Sequence, residues 1–173
     1  MKRRQKLPLD SGFTIIELLV SISVIGILIG LSYAGYAVFT QRQKLISSGQ
    51  TLKNILRDIE SRSYNGEVDC SVCNCTDPLV NSLDGWFVDL TDKRFYGVCG
   101  ANSFSDTGLG LSDEIVIAAN NNLIQFAGDP PRITDNIIIC LSLAGLPNRF
   151  YRIEISRGGD ISDSAGLIAS CTP

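Results

Sequence analysis

The chain has 173 residues, a formal charge of -3, six cysteines and no histidine. That length holds one modest domain plus a long segment outside its core. The acidic balance gives no bulk attraction for nucleic acid or anionic lipid, and the lack of histidine excludes a Ser-His-Asp triad, a Cys-His dyad and any His-ligated metal.

Lys2, Arg3, Arg4 and Lys6 crowd the start, whereas residues 13–40 hold Glu17 as their one charge. A basic start followed by an apolar run is a membrane-targeting layout. From Leu18 to Gln41 the sequence is uncharged. At about 1.5 Å rise per residue, a helix of that length crosses the hydrocarbon core. It is too long for a signal-peptide core, and Gly12 precedes it, so cleavage is expected ahead of the apolar stretch.

The residues Gly12-Phe13-Thr14-Ile15-Ile16-Glu17-Leu18-Leu19-Val20 resemble the processing signature of type IV pilins, type II secretion pseudopilins and competence pilins. The resemblance implies a leader over 1–12, cut by a prepilin peptidase between Gly12 and Phe13 on the cytoplasmic side, with methylation of the new amine. A transmembrane or filament-core helix over 13–40 then stays in the mature protein. An unpaired carboxylate in hydrocarbon costs at least about 2.5 to 3.5 kcal/mol, so Glu17 needs a partner or a proton. In the family picture the partner is the freed amine of Phe13 on a neighbouring subunit, and the pair sets assembly register. The plainer alternative is a membrane anchor whose Glu17 snorkels to the interface. Gly26 and Gly30 form a small-xxx-small pair suited to close helix contact. Many major pilins carry a proline about twenty residues after the cut; here none lies between the cut and Pro78.

Beyond Gln41 the helix is expected to continue over 41–66 as an amphipathic one. Leu45, Leu52, Ile55, Leu56 and Ile59 recur at helical spacing among Lys44, Lys53, Arg57, Asp58 and Glu60. Tyr64-Asn65-Gly66 supplies the stop. Residues 67–173 then form a cysteine-containing globular head. Runs of β-branched and aromatic residues predict an antiparallel meander, with strands near 86–90, 94–99, 114–118, 123–127, 136–142 and 150–156 and a weaker one after Asp160. Turns are expected at Asp84-Gly85, Thr91-Asp92-Lys93, Asn120-Asn121-Asn122, Asp129-Pro130-Pro131 and Gly158-Gly159. The fold class is therefore α+β, a long N-terminal helix on an antiparallel sheet. The strand arrangement, carried by Ile115-Val116-Ile117, Asn122 to Phe126, Gly128, Ile137 to Cys140, Arg152 to Ser156 and Gly159-Asp160-Ile161, resembles the GspH/FimT group of minor pseudopilins and minor pilins. The segments 67–83 and 100–112 have no counterpart in that resemblance.

Cys70, Cys73 and Cys75 form a cluster, with Cys99, Cys140 and Cys171 dispersed. A structural zinc site usually shows two separated Cys pairs, and the second pair is missing, so disulfides are preferred to metal. The sequence does not choose among the pairings. The expectation is Cys140 with Cys171, Cys99 with one of the early cluster, and a small loop closed by the remaining two. A Cys73 to Cys75 bond is disfavoured by strained geometry.

The aromatics Trp86, Phe87, Phe95, Tyr96, Phe104, Phe126, Phe150 and Tyr151 read as core rather than as a ligand groove. Arg132, Arg149, Arg152 and Arg157 raise the question of DNA, because some pilins of the GspH/FimT group serve in DNA uptake. Cutting at Gly12 removes four basic residues and one acidic one, leaving a formal charge of about -6. The tail also reads Gly159-Asp160-Ile161-Ser162-Asp163-Ser164, and both features oppose phosphate binding. No catalytic residue, metal or cofactor is expected. The expected role is a structural subunit, a minor pilin or pseudopilin of a pilus or type II secretion-like filament. Its expected partners are the prepilin peptidase, other pilin subunits and, before assembly, inner-membrane lipid, with the head outside the cytoplasm. The alternatives are a competence pilin binding DNA and a membrane-tethered ligand-binding domain.

Overall fold

The structure, a computed structural model, describes residues 14–76, 82–127 and 135–173. The chain divides into two compact units, Met1–Phe39 and Thr40–Pro173. One helix, α1 (Ile15–Tyr64), contributes to both. It ends where Gly66 takes a left-handed φ of 64°. The Gly66 N–H donates to the Ser63 carbonyl (3.1 Å) and the Glu67 N–H to the Arg62 carbonyl (2.9 Å), a Schellman cap that glycine accommodates without strain.

The second unit adds eight strands: β1 (Leu83–Asp89), β2 (Arg94–Cys99), β3 (Asn102–Gly108), β4 (Ile115–Ala119), β5 (Leu123–Phe126), β6 (Ile137–Leu143), β7 (Phe150–Ile155) and β8 (Ile161–Ile168). The class is α+β with antiparallel pairing, as expected from the sequence. The meander is corrected: the strands form two four-stranded sheets, ordered β3-β2-β1-β5 and β4-β6-β7-β8. Consecutive strands β4 and β5 lie in different sheets. The Asn120 side chain fastens β4 to the start of β6, donating to the Asn136 carbonyl (2.9 Å) and accepting the Ile138 N–H (2.9 Å). The Leu90 N–H donates to the Asn122 carbonyl (2.9 Å), which draws β5 back to β1.

Two further expectations change. Asp84-Gly85 is no turn but part of β1, where a register shift places Gly85 at φ 143°. A Cβ there would meet the Phe126 carbonyl at 2.6 Å, so the bulge and the close β5 backbone both require glycine. The stretch around 102–108, where no strand is expected from the sequence, is the edge strand β3. Its single buried side chain, Phe104, stands edge-on to Trp86 (5.3 Å between ring centres). Gly97 on β2 leaves the space for that ring, since a Cβ there would fall on it. The expected turn at 129–131 lies outside the described residues.

The core of this unit lies between the second part of α1 and the sheets. Leu45, Leu52, Leu56 and Ile59 are fully buried, one helical face, and join Trp86, Val88, Phe126, Ile139, Leu141, Tyr151, Ile153 and Ile155. Gly49 occupies the same face because the Tyr151 ring lies against the helix there. Polar ties follow the apolar stripe. Lys53 Nζ meets Asp163 Oδ2 at 2.9 Å, Arg57 donates to the Ile161 carbonyl (3.0 Å), and buried Ser63 donates to the Phe126 carbonyl (2.8 Å).

Candidate functional site

The first part of α1 begins with a cap. The Glu17 N–H donates to Thr14 Oγ1 (3.3 Å) and the Leu18 N–H to the Thr14 carbonyl (3.1 Å). Thr14 is thus the N-cap and Glu17 the third helical residue, the Thr-x-x-Glu spacing of a capping box. Sequence reasoning missed this role for Thr14, although the spacing itself was the available signal. Glu17 sits in the first turn, where the helix dipole favours a negative charge. Gly12 and Phe13 lie outside the described residues.

From Ile15 onward the large apolar side chains are exposed all round the helix. Ile15, Leu18, Leu19, Val20, Ile22, Ile25 and Ile29 each leave more than half of their surface open. A helix apolar on every face has no aqueous side and belongs in an apolar solvent. The hydroxyls of Ser21 and Ser23 need no water either, since Ser21 donates to the Glu17 carbonyl (2.7 Å) and Ser23 to the Leu19 carbonyl (2.8 Å). Satisfying polar groups within the helix is the condition for crossing hydrocarbon. By length and composition this segment can cross a membrane. Among the described residues a Cβ at Gly26, Gly30 or Gly35 would meet nothing within 4 Å, so no contact among them requires glycine there.

The head carries the six cysteines as three bonds: Cys70 with Cys75, Cys73 with Cys99 and Cys140 with Cys171. Their Cα separations of 5.4, 5.5 and 5.9 Å suit disulfides. The third bond joins the tail to the central strand β6, and the second joins the loop after α1 to β2. Among the described residues no group of three or more metal-ligating side chains converges.

The arginines singled out in the sequence are largely engaged locally. Arg152 pairs with Glu154 (2.9 Å) and Arg157 with Asp135 (3.1 Å), while Arg132 lies outside the described residues. Asp163 is drawn into the α1 contact by an irregularity in β8, where Ala165 takes φ 53° and the register to β7 shifts. Hydrogen bonds from Tyr151 and then Lys53 hold its carboxyl below the usual carboxylate range, and burial with the Asp163 contact pushes the Tyr151 phenol up.

A capped helix, apolar on all sides, and a disulfide-bonded α+β head fit a protein anchored to a membrane by a single helix. The family model described as the prokaryotic N-terminal methylation motif matches residues 8–33 and marks the chain as a type IV pilin-like prepilin. The motif implies processing by a prepilin peptidase and assembly with other pilins, and it indicates a structural subunit rather than an enzyme. The match ends within α1 and does not reach the head. No curated protein and no solved structure matches the chain.

Proposed function

We propose that the chain is a minor pilin or pseudopilin, a structural subunit of a type IV pilus or a type II secretion-like filament. In this reading the leader over 1–12 is cut after Gly12 and the amine of Phe13 is methylated. Residues 13–40 serve first as a membrane span, then as the filament-core helix. Residues 41–66 fasten that helix to the cysteine-containing head over 67–173, which lies outside the cytoplasm.

The observation that carries the proposal is the single carboxylate at the start of the otherwise uncharged, apolar first part of α1. Three features support it: an apolar surface open on all sides, glycine notches that meet nothing among the described residues, and Glu17 in the first helical turn. A sister helix would cover the first two. Its methylated Phe13 amine would meet Glu17, and a charge pair whose partner belongs to another subunit sets axial position. The resemblance of the strand-forming residues to the GspH/FimT group supports a minor rather than a major subunit.

The test is Glu17→Ala in the producing cell, read by membrane fractionation, mass of the mature N-terminus and filament content. Insertion and a methylated Phe13 are expected to persist while incorporation is lost. Normal incorporation of the variant would remove the register role. An uncut N-terminus in the unaltered protein would remove the proposed processing site.

A further inference from the structure

The fold accounts for two of the disulfides better than for the third. Cys73, Cys99 and Cys140 are 5%, 0% and 3% exposed, so each of their bonds has at least one buried sulfur-bearing residue even though Cys171 is only half-buried, whereas Cys70 and Cys75 are both exposed. The bonds made by the buried cysteines span 26 and 31 residues, but Cys70 to Cys75 spans 5. Restriction of the unfolded chain grows with the length of the loop closed, so the short bond contributes least.

The loop also keeps its shape by other means. The Asp69 carbonyl accepts the Val72 N–H (3.0 Å) and the Cys73 N–H (2.8 Å). The Asp69 carboxylate takes the Ser71 N–H (2.9 Å) and hydroxyl (2.6 Å), and Asn74 Oδ1 takes the Thr76 N–H (3.1 Å) and hydroxyl (2.7 Å). Cys73 meanwhile bolts the middle of the loop to β2. Exposure of the sulfur-bearing residues, rather than bond strength alone, decides which disulfide a thiol can reach.

We propose that Cys70–Cys75 is an exchangeable redox couple, opened by dithiol reductants while the other two bonds stay closed. One thiolate of the dithiol attacks a sulfur of the pair and expels the other cysteine as a thiolate, which takes a proton from water. The second thiolate of the dithiol then attacks its own mixed disulfide and releases the first cysteine, which is protonated in turn. Two electrons and two protons pass to the protein, and the dithiol leaves as a disulfide. The open form presents two exposed thiols on the connection between α1 and β1; the closed form presents none.

The full-length chain in detergent micelles, titrated with dithiothreitol, quenched with iodoacetamide and mapped by peptide mass, tests this. Cys70 and Cys75 are expected to be labelled about tenfold or more faster than the other four cysteines. The emission of Trp86, the sole tryptophan, should not change during that first step. Six cysteines opening together, a different pair opening first, or a Trp86 shift accompanying the first two labels would each overturn the proposal. The double variant Cys70→Ser, Cys75→Ser should fold, keep the other two bonds and take up no label under the same mild reduction. Failure of that variant to fold would show the bond to be structural and would equally overturn it.

Discussion

The two parts of α1 use the same residues for opposite ends. Ile25 and Ile29 expose 54% and 65% of their surface, while Leu52 and Leu56, on the same helix, expose none. In the second part an apolar stripe one face wide is covered by this chain's own sheets. In the first part the apolar surface has no edge, so its free energy can be recovered only from lipid or from other subunits. Stability of the head and retention in the membrane should therefore respond to different substitutions, and mutations on either side of the boundary can separate them.

Leu56→Ala gives the largest expected effect, about 2 to 5 kcal/mol off the head, because it opens a cavity in a closed core. Thermal unfolding followed by Trp86 emission should report the loss while membrane retention is unchanged. Ile29→Asp reverses the pattern: it should cost about 2.5 to 3.5 kcal/mol of insertion and leave head unfolding where it was. Partition between membrane and soluble fractions measures it. A drop in head stability from Ile29→Asp would break the comparison, since it would mean that the first part is packed within the chain. Gly49→Ala should cost about 1 to 3 kcal/mol by forcing the Tyr151 ring away from the helix, whereas Gly30→Ala should leave head unfolding unaltered.

Much of this division is legible in the residues. Charge-free length announces the first part, and the spacing of Leu45, Leu52, Leu56 and Ile59 announces the face of the second. Strands with internal alternation, such as Phe150–Ile155, were equally plain, with Tyr151, Ile153 and Ile155 inward. Edge strand β3 was not, because Asn102–Gly108 holds one apolar side chain and is a strand only through its pairing with β2 and the space left by Gly97. Gly85 misled for the opposite reason. A residue suited to a turn is used inside β1 so that the β5 backbone can approach. The split into two sheets depends on where β5 returns, a long-range choice that no local pattern records. At the candidate site Glu17 stood out as the one charge in an apolar run, but its place in the helix cap emerged only with Thr14.

The smallest effect tests how firmly the second part of α1 is tied to the sheet by polar groups rather than by leucines. Lys53 and Asp163 are 19% and 14% exposed in their side chains, so the cost of desolvating both charges offsets much of their attraction. The carboxyl of Asp163 is lowered in the folded head by Tyr151 and then Lys53, so its contribution is present above the ordinary carboxylate range, near about pH 4, and is lost as the pH falls below it. The phenol of Tyr151 is raised, chiefly by burial, so the unfolded chain ionises first and stability declines as the pH rises above about 10. Unfolding temperature against pH should thus fall at both ends. Asp163→Asn should flatten the acid limb and Tyr151→Phe the alkaline one. If neither variant changes its limb, the helix is held by its apolar stripe alone, and the second part of α1 differs from the first only in having its cover within the same chain.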